Sequence, residues 1–141
     1  MSLNFFSGLN VLSILACGAA SLVLGFLWYG PLFGRAWAGY TGWTEEKVKS
    51  IPGAKMAMTY VLTFLAAVVS AYVLAVFSPA VGASTAVDGL VLGLAAGVGF
   101  VAMAFGTTHL FEHKPAFLWF IVAGYEVVYL AVAGVIVTVW R

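Results

Sequence analysis

Four apolar runs, each close to twenty residues long and joined by short polar connections, leave this chain few ways to fold. A hydrocarbon core about 30 Å thick is crossed by about 20 apolar residues in helical form, and within it every backbone polar group must be bonded inside the segment. The runs extend from about Leu9 to Tyr29, Met56 to Phe77, Ala86 to Leu110 and Phe117 to Trp140. With 64% hydrophobic and 8% charged residues, the chain lies far from soluble domains, of which about a quarter is charged. The sequence thus implies an all-α polytopic membrane protein. It is expected to form one domain of four transmembrane helices over residues 1–141, with a short amphipathic interfacial helix between the first and second.

The ends of the spans can be argued residue by residue. At Gly30-Pro31 the first helix is expected to stop, because proline has no N–H to donate and clashes with the preceding turn. That holds Trp28 and Tyr29 at its last turn, where a membrane–water boundary selects rings with polar tips. Residues 31–55 form the long polar connection, in which Thr44 caps a helix start at Glu45-Glu46 and Pro52-Gly53 ends it. Ser78-Pro79-Ala80-Val81-Gly82 reads as a tight turn, and Thr85 with Asp88 as a capping box opening the third span. Asn10, near the outer boundary, is expected to cap the first span or to bond another helix, and not to hold a ligand.

Small residues mark where helices can approach. Gly18, Ser21 and Gly25 make a stripe on the first span, Ala67, Ala71 and Ala75 on the second. Gly89, Gly93 and Gly97 form a double G-x-x-x-G seam on the third, followed by Gly99 and Gly106. Such seams allow close packing without naming the neighbour, which can be internal or another subunit.

Charge narrows the partners. The net charge is +1 and no basic run occurs, so nucleic acid is not expected as a partner. The single Cys17 excludes paired-cysteine redox chemistry. The amino terminus lacks the basic n-region of a signal peptide, so the first span is expected to be retained. Arg35, Lys47, Lys49, Lys55 and Lys114 fall in the first and third connections, against Arg141 alone on the other side. Basic residues stay cytoplasmic, which puts both termini outside.

Leu27-Trp28-Tyr29-Gly30-Pro31-Leu32-Phe33-Gly34-Arg35-Ala36-Trp37 is a long and specific stretch. With Leu110-Phe111-Glu112 ahead of Lys114-Pro115, then Gly124-Tyr125, Gly134 and Trp140, it resembles the bacterial membrane domain-of-unknown-function family numbered 1761. The resemblance covers nearly the whole chain. It implies a small four-helix bacterial membrane protein and supplies no activity; with the count of basic residues above, the expected place is the bacterial inner membrane with both termini periplasmic. The resemblance does not include His113 or Glu126, so chemistry on either would be particular to this chain.

Several residues could carry chemistry. Glu126 lies nine residues past Phe117, about 14 Å deep at 1.5 Å per residue, with no Lys or Arg at its depth. An acid there is expected to be protonated or bonded to a hydroxyl, and is either a helix-joining group or a proton site. Tyr129 is one turn on, Tyr125 adjacent and Trp119 two turns back, with Ser21 and Ser70 at similar depth on other helices. His109-Leu110-Phe111-Glu112-His113 matches H-x-x-E-H, so His109 and His113 could share a metal with Glu112 activating its water. Lys114-Pro115 then breaks the helix, and Glu112 paired with Lys114 or Arg35 is the competing reading. Trp28, Tyr29, Phe33, Trp37, Tyr40, Trp43 and Trp119 form either interfacial belts or a cage for a flat or cationic ligand.

No cofactor is expected, and no metal beyond that weak His109/His113 candidate. The bilayer is one partner, and a second copy or other membrane subunits are expected as the other. Small size and chemistry-poor connections favour a non-catalytic packing or accessory component. A small proton-coupled carrier or channel centred on Glu126 is the alternative, and a membrane-embedded metal enzyme using His109 and Glu112 the third.

Overall fold

Asn10 opens the first span by accepting, through its side-chain oxygen, the backbone N–H groups of Leu12 and Ser13 at 3.0 and 3.3 Å. These are donors that a helix start leaves over. The computed structural model describes residues 8–141, and among these the regular structure is helical throughout. The remaining residues, 1–7, on which the expectation of a retained first span rests, lie outside that description. The elements are α1 (Val11–Leu27), α2 (Gly34–Thr41), α3 (Glu45–Lys49), α4 (Gly53–Ala80), α5 (Ala86–Ala96), α6 (Met103–Phe111) and α7 (Ala116–Val139). Four spans long and apolar enough to cross a bilayer result: Val11–Leu32, Gly53–Ala80, Ala86–Phe111 and Ala116–Val139. The protein is a multi-pass, all-α membrane protein.

Two of these boundaries correct the sequence. Gly30-Pro31 does not end the first helix. Trp28–Leu32 continues it as a π turn, in which Phe33 N–H donates to the Trp28 carbonyl at 2.8 Å. A π turn accommodates the proline, since the wider ring of atoms removes the need for an N–H at position 31. The chain then restarts directly in α2, where a Cβ on Gly34 would run into the Tyr29 carbonyl. Likewise Pro79 sits inside the last turn of α4. The stop comes at Gly82, with φ of 76°, where Ala83 N–H bonds the Ser78 carbonyl and Gly82 N–H that of Pro79. Thr85 and Asp88 do form the capping box that starts α5.

A second π turn, Gly97–Ala102, joins α5 to α6 inside the third span, with no proline to signal it. The third span ends in a Schellman cap. Lys114 N–H bonds the His109 carbonyl, His113 N–H that of Leu110, and His113 takes the left-handed φ of 53° usually left to glycine. Thr44 caps α3 by accepting from Lys47 N–H at 3.2 Å.

α7 is the axis of the bundle. Half of its span is buried, against 22–33% for the other three, and it packs on α1, α4, α5 and α6. α1 and α4 pair on one side of it, the third span on the other. The glycine seam is internal. Gly89 lies against the backbone of Gly134, Gly93 against the Leu130 carbonyl, and Gly97 against Val127. The stripe on α1 is divided: Gly18 meets Phe64 and Val68 of α4, while Gly25 meets Tyr125 of α7. Cys17, Ala71 and Ala133 are fully buried where α1, α4 and α7 converge.

Candidate functional site

The aromatic stretch around the first π turn is brought onto the first half of α7. Trp28 donates its indole N–H to the Ile121 carbonyl at 2.9 Å and lays its ring over Gly124, where a Cβ would come within 3.0 Å of it. Tyr29 places its ring 5.5 Å from that of Tyr125 and 5.5 Å from that of Trp37, and Trp37 stacks on Trp43 at 6.3 Å. Phe33 contacts both Trp28 and Phe120, while Tyr40 contacts Phe117. Two stretches that are remote in sequence, Leu27–Trp37 and Gly124-Tyr125, thus form one cluster. Both π turn and glycine are needed for it, the one to re-aim the rings, the other to admit Trp28.

Beside this cluster a cleft of about 780 Å³ lies between α1, α4 and α7. Tyr29, Trp37 and Tyr125 line it from one side, Met56, Thr59, Tyr60 and Thr63 from the other. The α4 side was not singled out in the sequence. Its signal is there, since positions 56, 59, 60 and 63 share one helical face and carry three of the few polar groups of that span. Thr59 and Thr63 donate to the carbonyls of Lys55 and Thr59 in their own helix, which leaves apolar and aromatic surface facing the cleft.

The polar groups at depth hold the helices to one another. Tyr125 donates to the Ser21 carbonyl at 2.9 Å and Tyr129 to the Ala67 carbonyl at 2.6 Å, tying α7 to α1 and to α4. Trp119 donates to the Ala102 carbonyl at 2.8 Å, tying α7 to the second π turn. Ser21 and Ser70 donate within their own helices. Glu126 is partly buried, one turn from Val122 of the cleft, and makes no hydrogen bond to a described residue. The phenols of Tyr29, Tyr125 and Tyr129 lie within electrostatic reach of its carboxylate. The hydroxyl partner the sequence suggested for it is therefore not among the serines.

His109, Glu112 and His113 are not brought together. His109 is buried, with Nδ1 2.9 Å from the Phe105 carbonyl, whereas His113 occupies the left-handed cap position and is exposed. Glu112 pairs with Lys114 at 2.5 Å, not with Arg35, and this ammonium holds its carboxyl below the usual carboxylate range. Among the described residues no three His, Cys, Asp or Glu side chains converge as a metal site would require. The reason is the Schellman cap, which turns position 113 away from the face that carries position 109.

Comparison with known proteins adds a family and no activity. Neither the curated proteins nor the solved structures contain a match. The profile of one family matches residues 12–138, spanning the π turn, the cluster and all four membrane helices, and the chain belongs to that family, described as a protein of unknown function, DUF1761.

Proposed function

We propose that this protein is a non-catalytic accessory component of the bacterial inner membrane, acting as a homo-oligomer or within a larger membrane complex. The observation that carries this reading is the use made of its interior polar groups. Trp28, Trp119, Tyr125 and Tyr129 each donate to a backbone carbonyl of another span, so they brace the bundle and are not offered to a substrate. The cleft between α1, α4 and α7 adds an aromatic surface suited to contact. Counting Lys and Arg by side puts both termini in the periplasm and lays the α2–α3 connection along the cytoplasmic surface.

Extraction in a native-like membrane environment, followed by mass determination of the intact assembly, tests this. The expected result is a mass above the 14.9 kDa of one chain, made up by further copies or by foreign subunits. A lone chain would sink it.

A second reading, a proton-coupled carrier, is favoured by Glu126, which has three phenols within electrostatic reach and no hydrogen bond from a described residue. It requires pH-dependent flux in reconstituted vesicles that Glu126→Gln abolishes. Under the accessory reading that substitution leaves the assembly intact.

A further inference from the structure

The cleft between α1, α4 and α7 holds polar groups that the bracing of the bundle does not use. Of the side chains that line it, Tyr125 gives its hydroxyl to the Ser21 carbonyl, while Ser21, Thr59 and Thr63 give theirs within their own helices. Tyr29, Trp37 and Tyr60 remain, with two phenol hydroxyls and an indole N–H that no described residue bonds. All three can be reached. Tyr60 is 58% exposed, and among the described residues the polar side-chain atom buried without a partner is Nε2 of His109, outside this cleft. An indole N–H only donates, and a phenol with no other partner donates as readily, so the cleft is matched by an acceptor.

The rest of the lining narrows the class. No described acid or base lines the cleft, so a charged ligand would enter an apolar site without a counter-charge, which is costly. Tyr29 has the rings of Trp37 and Tyr125 each 5.5 Å from its own, an aromatic wall that receives a flat ring by offset or edge contact. Two glycines keep room for it. A Cβ at Gly30 would meet nothing within 4 Å, and one at Gly25 would touch only the Tyr125 side chain. At about 780 Å³ the space falls within the range of about 300–1,000 Å³ usual for small-molecule sites. Leu22 and Phe26, the latter 76% exposed, extend the apolar lining along α1.

We propose that the cleft binds an uncharged, lipid-soluble ring that carries carbonyl acceptors, the chemistry of a membrane quinone. The ring lies against Tyr29, Trp37 and Tyr125, its carbonyl oxygens accept from the Tyr29 hydroxyl and the Trp37 indole, and its chain follows Leu22 and Phe26. All of these residues belong to a single chain, so the site is independent of the accessory reading. A lone chain that binds the ring would sink that reading and leave this one standing.

The test uses the full-length protein in phosphatidylcholine nanodiscs, with the signal of empty nanodiscs subtracted. The probes share a decyl chain and differ in the head: a fully substituted decyl benzoquinone, decylbenzene and decyltrimethylammonium. Equilibrium binding of the labelled probe is read together with the thermal midpoint. The quinone is expected to bind saturably, one molecule per chain, and to raise the midpoint, and the other two to bind about tenfold more weakly or less. Tyr29→Phe and Trp37→Phe, which keep an aromatic ring and remove a donor, should each weaken quinone binding about tenfold. Trp140→Phe, at the far end of α7 from Val122 and Tyr125, should bind as the parent does. Decylbenzene bound as tightly as the quinone, parental binding by both donor variants, or an equal loss in Trp140→Phe overturns the proposal. Ammonium bound as tightly as the quinone overturns it in favour of a cation cage. The absence of saturable quinone binding overturns it too, and leaves the cleft to acyl chains of the bilayer.

Discussion

Glycine does different work at positions that look alike in one dimension. Gly93 faces the Leu130 carbonyl so closely that a Cβ there would overlap it, whereas Gly99, six residues on, has nothing within 4 Å. The Leu130 carbonyl cannot retreat freely, because α7 is packed on α1 and α4 as well. Gly93→Ala should therefore lower stability by about 1–3 kcal/mol, the usual range for overpacking a filled site. Gly99→Ala meets open space and replaces the poorer helix former, so its thermal midpoint in mild detergent should stay level or rise. Equal loss at both positions would mean that the α5–α7 seam is looser than described. The sequence identifies both as small positions on a membrane helix. It does not separate them, because the difference lies in α7 and not in the residues near either glycine.

At the scale of elements, the four spans could be placed from composition alone to within about three residues, since the length of an apolar run is a local property. The capping box at Thr85 and Asp88 was equally readable, being made by four consecutive residues. The π turns were not. Trp28–Leu32 contains a proline that suggests a stop, and whether the chain stops or widens depends on what holds the rings that follow. Here Trp28 is held by Ile121 and Phe33 by Phe120, both on α7. Pro31→Ala restores an N–H that can reach the Leu27 carbonyl, and so allows an ordinary α-helix through this point. Losing the extra residue of the π turn would rotate α2 by about 100° about the helix axis. Trp37 would then leave both Tyr29 and Trp43. The expected outcome is a marked loss of near-ultraviolet aromatic dichroism with helix content unchanged. An unaltered aromatic signal would show that the packing of Trp28 and Phe33 on α7 sets the π turn without the proline.

For the whole molecule, the cleft between α1, α4 and α7 and a smaller recess lined by His109, Lys114 and Trp119 both emerge from assembly, since each takes its walls from more than one helix. A linear pattern could mark Tyr29, Tyr125 and His109 as candidates, but not that the first two share a wall of the cleft and that the third is buried beside the recess. What the sequence does bear on directly is the side each lies on. The connections after the first and third spans carry Arg35, Lys47, Lys49, Lys55 and Lys114, and the opposite side Arg141 alone. The end of the cleft lined by Gly30 and Met56, next to the first connection, and the recess at Lys114 lie toward the basic side. Translocating five basic residues is disfavoured against translocating one, so both features should open toward the cytoplasm. Single-cysteine variants can check this after Cys17, which is fully buried, is replaced by alanine. Val81 is 59% exposed in the second connection, and the Lys49 side chain is 80% exposed in the first. In intact cells an impermeant maleimide should label Val81→Cys, and Lys49→Cys only once the membrane is opened. The reverse pattern would place cleft and recess on the outer surface, and labelling of both from outside would mean that copies insert in both senses. The first outcome restricts the occupants of either feature to cytoplasmic molecules and to lipids of the inner leaflet.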